Sequence, residues 1–308
     1  MCPICESEKH PSVLSKVTLG HGTEFDLVEC PGCALRYFSP MPSLHQLEEF
    51  YRPQYYGGDW YKQQGLGMAF ARSALRNRRP GKFLDVGCGL GFYIDGIRKN
   101  SKWEVYGVEF ASNVVDYARK ELGLDVRHGD LTHVKFPSRY FDVIQIRNVL
   151  EHVTNPMELL RECRRIIKDD GVFHLAVPNG PVDSLDLLTF FASEKKPAVS
   201  NAGHVLFFSR ESLFQLFEKS GFRIEKGRTY GIRRGLARLG YFPRKRNWKS
   251  DYVDRSAEAA IGGGKIALPP KKNRPDIYYR YRFWRMHSKM LPGLQKPGLD
   301  FELVLKPL

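Results

Sequence analysis

No apolar run in this 308-residue chain approaches the length of a membrane span. The longest, Leu187 to Ala192 and Val205 to Phe208, fall far short of the ~18 residues that a bilayer crossing needs. No transmembrane helix is expected. The opening Met1-Cys2-Pro3-Ile4-Cys5 lacks the basic start and apolar stretch of an export signal, so a reducing cytoplasm is the expected compartment. Compositional bias is absent too: 42% hydrophobic, 27% charged and 13% aromatic residues exclude a disordered or collagenous chain. At roughly 150 residues per domain, the length allows one large domain with appendages or two ordinary ones.

Acid is in short supply. Lys+Arg number 48 against 34 Asp+Glu, a formal net charge of +14. The shortage is local: Arg233 to Pro297 carries 17 basic residues against four acidic ones, Asp251, Asp254, Glu258 and Asp276. An anionic partner should therefore meet this segment rather than the whole surface.

Cysteine is sparse, six in all, but four stand in two C-x-x-C pairs, Cys2-Pro3-Ile4-Cys5 and Cys30-Pro31-Gly32-Cys33. Each such turn aims two sulfurs at one point, and four thiolates satisfy the tetrahedral preference of Zn²⁺. A closed four-sulfur site is structural, with no exchangeable position for catalysis. The gap from Cys5 to Cys30 is longer than the usual ribbon spacing, which a longer hairpin would absorb. The alternative, two disulfides, is strained within adjacent knuckles and is reduced in a cytoplasm. Cys88 and Cys163 sit in apolar contexts that read as core.

After Ser39-Pro40-Met41-Pro42 the reading is of a linker without regular structure, rich in flat side chains: Tyr51, Tyr55, Tyr56, Trp60 and Tyr61. They suit a lid over a planar ligand, or equally the packing of a connecting segment on the next domain.

From Lys82 short apolar runs alternate with helical periodicity, the sign of a parallel α/β sheet. Lys82 to Val86 reads as a buried strand, and Gly87-Cys88-Gly89-Leu90-Gly91 follows at once, opening a helix toward Lys99. The glycines let the backbone turn sharply and approach a ligand, and the helix amino end offers unpaired N–H groups. Glu104 to Val108 is a second strand ending in Glu109, twenty positions after Gly89. A carboxylate there can accept from both hydroxyls of a ribose. The dinucleotide fingerprint would need glycine at position 92, where Phe92 stands, which argues against NAD. A third strand around Val126 ends at Gly129-Asp130, a fourth runs from Phe141 to Ile146 into Arg147-Asn148-Val149-Leu150-Glu151-His152, and a fifth from Gly171 to Val177. In an open α/β sheet, Asp85, Glu109, Asp130 and Asn148 would border one crevice.

The run Leu84-Asp85-Val86-Gly87-Cys88-Gly89-Leu90-Gly91, with Glu109, Gly129-Asp130-Leu131 and Glu151-His152-Val153-Thr154-Asn155-Pro156, resembles the class I S-adenosylmethionine-dependent methyltransferases. The small-molecule branch that includes the ubiquinone-pathway O-methyltransferases is the nearest resemblance. His204 to Phe208, with Ser209 as N-cap of an apolar helix ending at Gly221, and the closing strand Leu299 to Lys306 resemble that branch as well. The resemblance spans most of 80–231 plus the last ten residues. It implies a Rossmann-like, doubly wound α/β fold with a mostly parallel sheet, here joined to a small N-terminal zinc ribbon (1–40), an aromatic linker and cap (41–79), a core (80–231), a basic insertion (232–297) and a final core strand (298–308).

Position by position, the resemblance implies that Gly87, Cys88, Gly89 and Gly91 approach the methionine part of the cofactor, with Asp85 nearby. Glu109 would hold the ribose, Phe110 would pack on adenine, Asp130 would accept from its amino group, Leu131 would be a further cofactor-binding residue, and Asn148 would border the crevice. Asp85 and Asp130 can equally cap turns, and Phe110 can be core. No Lys follows the glycine turn, as suits a cofactor without phosphate. His152 is placed as a base for an acceptor hydroxyl, with His204 second; ordering of the loop is the competing role for His152. In the ubiquinone-pathway relatives a pair of acids with the histidine can hold a divalent cation. Here Asn148 stands at the earlier acid, and no catalytic metal is expected.

The 232–297 insertion interleaves aromatics with arginines, as in Tyr278-Tyr279-Arg280-Tyr281-Arg282-Phe283-Trp284-Arg285. That pattern suits an anionic membrane surface, single-stranded RNA, or a solvated cationic face of the domain itself. The expected activity is methylation of a hydroxyl, or a carbon, of a small molecule or saccharide, including a lipid-linked one. RNA methylation competes, but no Asn/Asp-Pro-Pro-aromatic motif follows the fourth strand. A non-catalytic nucleoside-binding module is the third reading.

Overall fold

Lys82 to Val86 is a buried strand as its apolar run requires, and the molecule is organised around it. The computed structural model describes residues 1–18, 23–51, 60–185, 187–188, 198–199, 203–241, 291–294 and 298–308. Most of the basic insertion lies outside these residues, as do Tyr55 and Tyr56.

Three strands open the chain, β1 (Ser12–Thr18), β2 (Glu24–Glu29) and β3 (Arg36–Ser39), followed by helices α1 (Leu44–Tyr51) and α2 (Trp60–Ser73). Strand and helix then alternate through β4 (Lys82–Val86), α3 (Phe92–Lys99), β5 (Glu104–Glu109), α4 (Ser112–Leu122), β6 (Asp125–His128), β7 (Phe141–Arg147), α5 (Pro156–Ile166) and β8 (Ile167–Pro178). A short helix α6 (Gly180–Asp183) leads to β9 (Ala198–Val199), β10 (Leu206–Phe207), α7 (Arg210–Lys219), β11 (Phe222–Tyr230), α8 (Ile232–Arg238), β12 (Leu291–Pro292) and β13 (Asp300–Pro307).

The main sheet has the order β12-β11-β13-β8-β7-β4-β5-β6. From β8 to β6 all neighbours are parallel, while β13 is antiparallel to both β8 and β11. This is the doubly wound, mostly parallel α/β architecture that the alternation of patterns predicts. Phe141, Val143, Ile144 and Ile146 of β7 are all fully buried, as a strand covered on both faces demands. Two helices start where side-chain caps stand: Ser209 Oγ accepts from Ser212 N–H at 3.0 Å before α7, and Asn155 Oδ1 from Glu158 N–H at 3.2 Å before α5, with Pro156 in its first turn. β8 begins at Ile167, four residues ahead of the expected Gly171, because Ile167 already pairs with Phe141.

The stretch from Ser39 to Tyr61, expected as a linker without regular structure, differs in part: α1 runs over Leu44–Tyr51 and α2 begins at Trp60. Gly67 of α2 is a packing residue. A Cβ on Gly67 would collide with the Tyr93 carbonyl, and one on Gly96 of α3 with the Gln64 carbonyl. The two helices approach closely because glycine is on both, and buried Asp95 ties them through Gln64 Nε2 at 2.6 Å.

The cysteine segment shares its structure with the core. β1 and β2 form the hairpin that fills the long Cys5-to-Cys30 gap, but the five-stranded sheet, ordered β10-β3-β2-β1-β9, is completed by two strands from beyond β8. Lys219 Nζ donates to the Ile4 carbonyl at 3.1 Å, Ser209 Oγ to that of Cys33 at 3.2 Å, and Gln215 Nε2 to that of Gly32 at 3.0 Å. Cys2, Ile4, Cys30 and Cys33 belong to one buried cluster with Leu160, Phe207 and Leu216.

Candidate active site

The order β8-β7-β4-β5 brings four strand ends to one edge of the sheet, where open α/β folds bind ligands. After β4, the Gly87 and Cys88 N–H groups donate to the Val108 carbonyl at 2.8 and 3.2 Å, which folds the loop over the end of β5. Gly87, Gly89 and Gly91 all have positive φ, at 74°, 54° and 80°, a region open to glycine without strain. Their surroundings differ. A Cβ on Gly87 would strike Val149 Cγ2, and one on Gly91 would lie 2.5 Å from Leu124 Cδ1, whereas at Gly89 the nearest atom is Trp60 Cζ3 at 3.7 Å. The loop is thus packed on two sides and shallowly covered by an aromatic ring at its centre.

Glu109 stands at the end of β5. Its Oε2 accepts from Gly89 N–H at 2.9 Å, and its Oε1 from Phe110 N–H at 2.8 Å and Ala111 N–H at 3.1 Å. The carboxylate expected to hold a ribose therefore first clasps the glycine loop. Phe110 is half-buried and its carbonyl lies 3.0 Å from His128 Nε2. Asp130 serves a turn, Oδ1 accepting from Thr132 N–H at 2.8 Å, while Leu131 and Cys88 are buried. Asp85 is buried beneath the loop and accepts from Gln145 Nε2 at 3.2 Å. Burial pushes its carboxyl up to about 7, against the opposing pull of that hydrogen bond and of Arg147. Asn148 is exposed, with φ at 52° and its N–H donating to the Ala176 carbonyl at 2.9 Å.

Beyond β7, the turn Leu150–His152 carries Glu151 and His152 into a second cluster. Backbone pairing of Val205 N–H with the Glu151 carbonyl at 2.9 Å brings His204 alongside, and the two imidazoles lie 4.8 Å apart, edge to face. His152 Nδ1 is 3.0 Å from the Gly203 carbonyl, and His204 Nδ1 is 2.6 Å from Asp183 Oδ2. Glu151 Oε1 faces both Nε2 atoms, at 3.7 Å to His152 and 3.9 Å to His204. Burial drives Glu151 up to about 8 and, aided by the charge of His204, His152 down to about 3. For His204 burial pulls downward, but the adjacent Asp183 carboxylate outweighs it and holds the ring at about 9.

The structure thus brings His152 and His204 together, as two separated sequence candidates, and joins them to Glu151. Asp183 escaped the sequence reading, as did Arg238, whose guanidinium lies 3.9 Å from Asp183 Oδ1. The position of Asp183 just past a parallel strand end was the one available signal. The sulfurs of Cys2, Cys5, Cys30 and Cys33 lie within 4.8 Å of one another, with 3.5 Å between Cys2 and Cys33 and 3.3 Å between Cys5 and Cys30. Among the described residues no helix is long and apolar enough to cross a membrane.

A glycine loop clasped by an acid at the ends of neighbouring parallel strands, with Phe92 where the dinucleotide fingerprint needs glycine, marks the crevice edge of an open α/β protein. A family model described as a methyltransferase domain matches residues 61–226, more than half of the chain, and the chain belongs to that family, the S-adenosylmethionine-dependent methyltransferases. A protein from Mycolicibacterium smegmatis named "Probable S-adenosylmethionine-dependent methyltransferase" is 29% identical over 163 residues, covering 52% of this chain and 59% of that one. A ubiquinone biosynthesis O-methyltransferase from Actinobacillus pleuropneumoniae is 32% identical over 108 residues, 32% of this chain and 46% of that one. The chain spans about half the length of the curated relatives it matches. A solved SAM-dependent methyltransferase from Archaeoglobus fulgidus aligns with a TM-score of 0.45 at 18% identity, over 79% of this chain and 94% of that one.

Proposed function

We propose that the chain transfers a methyl group from S-adenosylmethionine to a hydroxyl oxygen, or a carbon, of a small molecule or saccharide. The observation that carries this reading is the Glu109–Gly89 clasp beside a crevice edge that also holds Glu151, His152 and His204. The fit to the cofactor rests on Gly89, where no atom but the Trp60 ring edge lies within 4 Å of an added Cβ, and on spare lone pairs of the Glu109 carboxylate, which has about four acceptor sites for its three N–H donors.

The cofactor supplies a sulfonium whose methyl is displaced with a neutral thioether as leaving group, so the protein's share is mainly alignment. Glu109 holds ribose hydroxyls, Phe110 packs on the base and Asp130 accepts from its amino group, while Gly87, Gly89 and Gly91 border the amino-acid part above Asp85. His152 and His204 serve the acceptor's proton at the wall formed with Glu151.

The four-cysteine cluster holds a structural Zn²⁺. A tetrahedron with 2.3 Å bonds has edges of roughly 3.8 Å, close to the sulfur separations of 3.3 and 3.5 Å. The protein works in the cytoplasm, with its basic 232–297 segment against an anionic membrane surface where a lipid-linked acceptor would be presented.

The test is incubation with methyl-labelled cofactor and fractionated cell extract. Label in free metabolites or lipid-linked glycans supports the reading. Label in RNA alone rejects it in favour of an RNA methyltransferase, and cofactor binding without turnover in any fraction leaves a binding module.

A further inference from the structure

We propose that Arg147 and Tyr93 form a binding site for a carboxylate beside the first glycine of the loop after β4. Arg147 is the last residue of β7. Ile146 pairs with Val86, so Arg147 stands level with Gly87. It lies two residues past Gln145, and therefore on the face of the sheet where Gln145 meets buried Asp85.

Three observations carry the site. The first is a cation without a counterion. Arg147 is partly buried, and among the described residues its guanidinium completes no hydrogen bond or ion pair; Glu302 and Asp85 reach it only as charges acting through space. Asp85 is a poor counterion besides, because burial holds its carboxyl up at about 7. A guanidinium stays charged when drawn out of water, and that is costly until an anion pairs with it.

The second is Tyr93, in the first turn of α3 and only 5% exposed. The Arg147 guanidinium sits over its ring, with 5.4 Å from Cζ to the centroid. The Tyr93 hydroxyl has no hydrogen-bond partner, although a buried phenol normally finds one. Two unfilled donors, one from a strand and one from a helix, thus stand side by side.

The third is the state of the loop itself. The Gly87 and Cys88 N–H groups donate to the Val108 carbonyl, that of Gly91 to the Cys88 carbonyl and that of Gly89 to Glu109. Four of the five N–H groups from Gly87 to Gly91 are therefore committed. A negative group arriving at the loop must find its donors off the loop, and Arg147 and Tyr93 lie alongside.

The planar guanidinium fork matches the two oxygens of a carboxylate with parallel N–H bonds, and the phenol adds a third donor. That the ligand is S-adenosylmethionine rests on the proposed function. Its amino-acid end carries one carboxylate, and an acid group on the methyl acceptor would offer the same chemistry.

The experiment separates these two sources. Calorimetry compares S-adenosylhomocysteine with S-adenosyl-3-thiopropylamine, which keeps the amine and lacks only the carboxylate, on wild type, Arg147→Met, Arg147→Lys and Tyr93→Phe. Arg147→Met should lose tenfold or more of its affinity for S-adenosylhomocysteine, and the other two variants severalfold, given the strength of hydrogen bonds to charged groups. All should bind the decarboxylated compound within about twofold of wild type, which also shows that they fold. If Arg147→Met binds both compounds like wild type, benzoate is titrated into the S-adenosylhomocysteine complexes. Saturable binding to wild type that is lost in Arg147→Met then assigns the site to an acid group of the acceptor. Equal weakening of both compounds, or no difference between wild type and Arg147→Met in any of the three titrations, overturns the site and leaves the methyltransferase reading standing. Wild type that binds neither compound removes that reading, and this site with it.

Discussion

The carboxylate of Glu109 reaches back twenty positions to accept the Gly89 N–H at 2.9 Å. One side chain thereby joins the end of β5 to the loop after β4 and fixes the spacing between them. Glu109→Ala removes that tie and, on the proposed function, the ribose acceptor with it. Affinity for S-adenosylhomocysteine should fall tenfold or more by calorimetry, since hydrogen bonds to a charged group contribute about 1.5–3 kcal/mol. Unchanged affinity would mean that the acid belongs to the loop alone.

The glycines of the loop should separate by role. At Gly87 an added Cβ meets Val149 at positive φ, so Gly87→Ala should cost stability on the order of 1–3 kcal/mol. At Gly89 the Cβ meets nothing nearer than Trp60 at 3.7 Å, so Gly89→Ala should be milder in urea denaturation yet weaken cofactor binding more. Equal ranking of the two in both assays would contradict the assignment of Gly89 to the ligand side.

Asp85 makes a pH prediction. Its carboxyl, near 3.8 in an open chain, is raised to about 7 by burial, so the folded protein retains a proton that the unfolded chain has released. The resulting stability is complete below about pH 4 and is lost as pH rises through about 7. Asp85→Asn keeps the site neutral, so its stability relative to wild type should increase between pH 4.5 and 8, by a few kcal/mol at most at about 1.4 kcal/mol per unit. A pH-independent difference in urea midpoints would sink this account.

Zinc removal should destabilise more than the first forty residues. Cys2, Cys30 and Cys33 are buried with Phe207 and Leu216, and β10 is hydrogen-bonded to β3. Elemental analysis should find one zinc per chain, and a strong chelator should lower a single thermal transition of the whole protein. Two separate transitions, the higher one unmoved, would show an autonomous ribbon.

The sequence carried the parallel core plainly. Apolar runs of β4, β5 and β7 bounded by Gly87, Glu109 and Asn148 mark strands and their ends, because burial on both faces leaves a local record in most residues of the strand. The role of Gly67 was not legible, since whether a glycine permits close helix packing depends on the Tyr93 carbonyl that the fold brings against it.

By itself, then, the sequence determined the strand-turn-helix core, the acid at the end of β5 and the sulfur quartet, all set by spacing within a few dozen residues. The fold alone decided that His204 and Asp183 would join Glu151 and His152, and that two strands from beyond β8 would complete the cysteine sheet. Contacts between segments about 20 to 180 residues apart depend on how the chain crosses over, and no local pattern of side chains encodes that crossing.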